Sequence, residues 1–145
     1  MGYTDNLELP LACNGSVIRI DLLTRGTGWG FSLREVAAYG PDVPQTDKNN
    51  LLKDGTACAS SMEANNREWY DPQFAINGTM DKRWSSKQHE PEYLVIVLSE
   101  SKPFKHFVLT WQEDQAYARH YRVTVFSSQY RGLDVPICED FAVIP

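Results

Sequence analysis

Residues 62–72 read Met-Glu-Ala-Asn-Asn-Arg-Glu-Trp-Tyr-Asp-Pro, which sets Glu63, Asn65, Asn66 and Arg67 beside Trp69 and Tyr70. Planar carboxylate, amide and guanidinium groups can hold hydroxyls in pairs, and an aromatic ring offers an apolar plate to the C–H face of a pyranose. A second run of planar polar side chains, Gln112-Glu113-Asp114-Gln115, follows Trp111, and Gln88-His89 adds a weaker pair. Trp29 lies between glycines in R-G-T-G-W-G-F-S, and a Trp exposed there is costly unless it binds something. These residues suit the recognition of a hydroxyl-rich ligand. Read on their own they are equally a solvent-shielding loop (62–72) and a solvated turn (112–115).

Bond-breaking chemistry has no comparable footing. His89, His106 and His120 share no spacing with Asp or Ser that resembles a triad. There is no G-x-S-x-G, H-E-x-x-H, phosphate-binding loop or paired-carboxylate motif, so no catalytic residues and no enzyme are expected. The net charge of −5 disfavours duplex nucleic acid and anionic membranes, both of which need clustered Lys and Arg, and fits neutral ligands best. Cys13, Cys58 and Cys138 are an odd set without C-x-x-C spacing, which argues against zinc and for small buried thiols. The first ten residues carry neither a basic n-region nor an apolar h-region. The expectation is a protein made without a signal peptide, or a domain cut from a longer extracellular chain; the oligomeric state is left open.

The elements that must carry these loops are strands. Val17–Leu23, Glu92–Leu98, Phe104–Trp111 and Tyr121–Phe126 are rich in β-branched and aromatic residues. Leu33–Tyr39 has helix propensity, but its place between G-W-G-F-S and Gly40-Pro41 favours a strand, and Phe141–Ile144 is a short terminal candidate. Turn signals at Gly40-Pro41, Asn49-Asn50, Asp54-Gly55, Asn77-Gly78, Pro91 and Gly132 separate them. Short strands, many turns and almost no helical period predict an all-β antiparallel sandwich. At 145 residues the chain is one domain by length, able to bury a core without metal or disulfide. Trp84, opening a strand, is expected in that core, whereas Trp111 is balanced between core and ligand platform.

The segments R-W-S-S (83–86), W-x-x-x-x-A-Y-A-x-x-Y (111–121, after Leu109-Thr110) and R-G-T-G-W-G-F-S-L-R-E (25–35) together resemble the discoidin family, also called coagulation-factor type C domains. Within it they are closest to the sugar-binding modules of the family 32 type, with a galactose-binding-like jelly-roll sandwich. The order is rotated: V-I-R-I-D-L-L-T-R-G-T-G-W-G-F-S-L-R-E-V-A-A-Y-G looks like the family's closing strands, yet it comes first. The expectation is a circularly permuted single domain over 1–145, with 1–40 supplying the family's C-terminal strands and 51–145 the rest. Cys13 and Cys138 could approach each other in such a rotation, without a bond being expected.

The resemblance implies a non-catalytic carbohydrate-binding module or lectin, with glycan or polysaccharide as partner. Protein–protein or adhesive binding on the same fold is the alternative, then membrane-lipid binding. Glu63 falls where several relatives contact sugar, and Trp29 and the loop after Trp111 fall at the same end of the fold. The expected ligand-binding set is Trp29, Glu63, Asn65, Arg67, Trp69, His89, Gln112, Glu113 and Asp114. The loop Asn77–Trp84 matches one that wraps a structural Ca²⁺ in relatives, which makes Asp81, Glu35 and Asn77 its implied ligands. Here Asn77 stands for an Asp and Lys82 for a Thr, removing one charge and one hydroxyl.

Overall fold

The computed structural model describes residues 4–77, 81–112 and 116–126. Six strands follow in order: β1 (Thr4–Arg25), β2 (Ser32–Tyr39), β3 (Thr56–Ala59), β4 (Trp84–Ser85), β5 (Glu92–Trp111) and β6 (Ala118–Phe126). Between β3 and β4 lie a single helical turn, α1 (Arg67–Tyr70), and short 3₁₀ turns at Glu63–Asn65 and Pro72–Ala75. All pairings are antiparallel, in the order β4-β2-β5-β1-β6 with β3 also on β5.

β1 and β5 run the whole length of the fold side by side and are bent by two bulges. Between Glu8↔His106 and Cys13↔Phe104 β1 advances five positions while β5 advances two. Between Gly15↔Lys102 and Val17↔Val97 β1 advances two while β5 advances five. The bulges cancel, so one register holds on either side of the bend. Extra residues bend a strand and strengthen its twist, and here the bend divides the sheet into two halves. One half holds β3, the start of β5, the end of β1, and β6; the other holds β4, β2, the end of β5, and the start of β1.

Alternation then builds the core. Ile18, Ile20, Leu22, Leu94, Ile96 and Leu98 point inward from the first half; Leu33, Val36, Phe107, Leu109 and Trp111 do so from the second. They form one buried cluster with Trp84, Phe31 and Phe104. Opposite parity gives a smaller outer cluster of Val17, Cys58 and Val95.

This is the all-β antiparallel sandwich expected from the strand pattern, with Leu33–Tyr39 a strand. Two boundaries differ by more than three residues. Glu92–Leu98 and Phe104–Trp111 are one continuous strand, because Ser99–Pro103 stays extended through the bend. β1 starts thirteen positions before Val17, at Thr4, since Leu7 and Leu9 alternate into the core while Asn6, Glu8 and Pro10 face outward. Phe141–Ile144 and Cys138 lie outside the described residues.

Candidate functional site

Because β5 doubles back, its two ends, Glu92 and Trp111, come to the same end of the sandwich. The loops that leave β1, β3, β4 and β5 gather there. A cleft of about 380 Å³ opens among them, with Trp29, Glu63, Arg83, Lys87, Gln88 and Gln112 on its walls. Its floor is Phe31, Ser32, Ser85 and Ser86.

The floor is rigid. Phe31 N–H donates to Ser86 Oγ (2.9 Å) and Ser86 N–H to the Phe31 carbonyl (2.7 Å). Ser32 Oγ donates to the Trp84 carbonyl (2.9 Å), and Ser85 Oγ donates to Ser32 Oγ (2.8 Å). On the other side Ser32 N–H reaches the Ala116 carbonyl (2.9 Å) and Gln112 N–H the Ser32 carbonyl (3.0 Å). Gly30 permits the tight approach: a Cβ there would lie 2.6 Å from the Lys87 carbonyl oxygen and 2.7 Å from that of Ser86. Any side chain at 30 would push the Trp29 loop off the floor.

Trp29 itself stands 62% exposed at the rim. Its loop is tied at the base by Glu90, which accepts from Arg25 N–H (2.7 Å) and Arg25 Nε (3.1 Å). Those bonds, the backbone one first, hold the Glu90 carboxyl below the ordinary glutamate range. Arg25 Nη1 also donates to the Gly28 carbonyl (3.3 Å).

Glu63 enters from the opposite wall on a strained turn, since Ala64 and Asn65 take left-handed φ of 53° and 52°. The turn is anchored through Glu92, a carboxylate only 4% exposed. Glu92 accepts from both Ser60 Oγ and Ser61 Oγ (2.7 Å to Ser61), and His89 Nδ1 lies 3.1 Å from its second oxygen. Trp84 Nε1 donates to the Ser61 carbonyl (2.9 Å) and Lys87 N–H to Ser61 Oγ (3.0 Å).

Of the expected ligand residues, the cleft therefore brings together Trp29, Glu63 and Gln112. Asn65 and Arg67 line a separate groove along β3. Trp69 is 54% exposed on α1, with Lys82 Nζ 5.6 Å from its ring centre. His89 is turned to Glu92, and Glu113 and Asp114 lie outside the described residues. Trp111 is core: 1% exposed, its Nε1 bonded to Asp5 (3.0 Å) and its ring edge-on to Tyr121 at 5.4 Å. Tyr121 O–H also donates to Asp5 (2.8 Å), and burial, with that bond, pushes its phenol up.

Sequence reading missed Arg83, Ser85 and Lys87, which lie in the R-W-S-S-K run. The available signal was alternation, because an inward Trp84 leaves Arg83 to face elsewhere. Glu92 was missed as well; an acid opening the apolar run E-Y-L-V-I-V-L marks a buried carboxylate that must find donors.

For the implied calcium, among the described residues no group of three or more His, Cys, Asp or Glu side chains gathers around one point. Glu35 is held above the ordinary range by burial and then by Asp47, while Asp81 is exposed. The Lys82 ammonium stacks over Trp69 and, at 4.9 Å, over Phe74, and reaches the Glu68 carbonyl (3.5 Å). The described side chains do not make an oxygen cage.

Comparison with known proteins adds one finding. No curated protein matches the chain in sequence. The family model for the F5/8 type C domain matches residues 56–130, more than half of the 145. With the antiparallel sandwich already described, that match places the chain in the F5/8 type C, or discoidin, family.

Proposed function

We propose that this domain is a carbohydrate-binding module that takes a glycan in the cleft beside Trp29. Domains of this family are in general non-catalytic and bind carbohydrates, lipids or proteins. The observation that favours a glycan is the juxtaposition of an exposed Trp29 ring with Glu63 and Gln112 across one open cleft. Gln112 Oε1 is buried without a hydrogen-bond partner among the described residues. An orphaned acceptor of this kind costs about 1–3 kcal/mol. A sugar ring stacked on Trp29, with two or three hydrogen bonds to Glu63 and Gln112, accounts for an affinity in the roughly micromolar to millimolar range.

A glycan array probed with the whole chain tests this reading. Retention of defined glycans, lost in Trp29→Ala, is expected. A blank array would transfer the cleft to a protein or lipid partner.

The rotated strand order belongs to the same proposal. Residues 1–40 act as the closing strands of the domain that 51–145 begin. Their pairing supports this: β1 lies between β5 and β6, and β2 between β4 and β5.

A further inference from the structure

We infer that the cleft selects glycans bearing an anionic group, a carboxylate or a sulfate ester, held by Arg83 and Lys87. The inference rests on the glycan reading above and narrows it.

Arg83 is half-buried on the cleft wall, and its guanidinium lies 5.4 Å above the Tyr70 ring. Its Nε donates to Ser85 Oγ (3.2 Å), which fixes the plane of the group. Neither terminal nitrogen meets a carboxylate or a carbonyl among the described residues. A partly desolvated cation without a counter-charge is unfavourable. A fixed guanidinium fork whose two prongs are unpaired among the described residues matches the two oxygens of a carboxylate or sulfate. Lys87 lies four residues on along the same wall, exposed, and its ammonium has no partner among the described residues either.

Among the described residues, two cations face one carboxylate, Glu63, in this cleft, on a chain whose net charge is −5. Among these described residues the local balance is opposite in sign to that of the whole chain. Electrostatic selection depends on the local field, since charges beyond a Debye length of roughly 8 Å are screened at physiological salt. The whole-chain charge, which favours neutral ligands, therefore does not describe this cleft. Glu63 remains to accept hydroxyls on the far side, so the ligand is a sugar with one acidic substituent rather than a polyanion.

The experiment uses the intact chain on an array of neutral, uronate- or sialate-bearing and sulfated glycans. Calorimetric titration then compares the best acidic glycan with its neutral counterpart of the same skeleton. The wild type should bind the acidic form roughly ten- to hundredfold more tightly, with the margin shrinking as salt is raised. Arg83→Gln should remove that margin, lowering affinity for the acidic glycan more than for its neutral counterpart. Arg83→Lys should keep only part of the margin. Lys87→Gln should reduce it without moving the melting temperature, so it carries the test if Arg83→Gln proves unstable. A preference for carboxylate over sulfate, or the reverse, identifies the anion.

Equal affinity for both forms, lost together in Trp29→Ala, would overturn the anion selection while leaving the glycan reading standing. Acidic preference untouched by Arg83→Gln and Lys87→Gln would also overturn it, because the anion would then be held elsewhere. No binding to any glycan would remove both readings at once.

Discussion

At the scale of residues, the cleft depends on a few side chains that do not line it. Glu90 ties the Trp29 loop to the segment before β5, and its carboxyl is held low by Arg25. A depressed carboxyl stabilises the folded loop above the ordinary glutamate range and loses that effect as pH falls through the folded value. Ligand affinity should accordingly decline on acidification below the ordinary range, and Glu90→Gln should flatten that limb while weakening binding at neutral pH. Titrations between pH 7 and pH 3 read this directly, and an acid limb unchanged in Glu90→Gln would reject it. Residue types were enough to nominate Trp29, Glu63 and Gln112. They could not separate these from Trp69, because an exposed Trp on a helical turn and one on a glycine loop look alike until the loops are placed. Arg83 was hidden for the opposite reason: it adjoins Trp84, whose burial dominates the reading of R-W-S-S.

At the scale of elements, the bent pair β1–β5 places the cleft. The strand pattern of 17–23, 92–98 and 104–111 was legible from β-branched content. That 92–111 is one strand was not, because bulges depend on partner register rather than on local composition. The start of β1 was hidden likewise, since T-D-N-L-E-L-P-L is polar and only its alternation shows a half-buried edge strand. Asp5 shows that this start is structural: it accepts from Trp111 and Tyr121, one from each half of the sandwich. Asp5→Ala leaves a buried donor, Trp111, and a half-buried one, Tyr121, without their acceptor and should lower stability by about 1–3 kcal/mol. Chemical denaturation is the measurement, and a loss below roughly 0.5 kcal/mol, typical of a surface change, would show that the bridge is dispensable.

At the scale of the whole molecule, the family was legible because its motifs are short and local, and the proposed rotation rests on the order in which they occur. If the rotation is right, a rearranged chain running 41–145 and then 1–40 should fold and melt within a few degrees of the natural order. Aggregation of that chain would count against it. Calcium should matter little to either form, since Asn77 and Lys82 replace ligands and Lys82 is engaged with Trp69 and Phe74. Chelator is expected to shift the melting temperature only slightly; a large loss reversed by Ca²⁺ would restore Asp81, Glu35 and Asn77 as a metal site. We propose that one cleft beside Trp29 binds glycan. It is tested most directly by titrating the best array glycan into wild type, Trp29→Ala, Glu63→Ala and Trp69→Ala, with thermal melts alongside. The first two variants should each lose about 1–3 kcal/mol of binding with melting unchanged, and Trp69→Ala should bind as the wild type does. Full affinity in Trp29→Ala and Glu63→Ala, or a loss confined to Trp69→Ala, would contradict the assignment of the cleft.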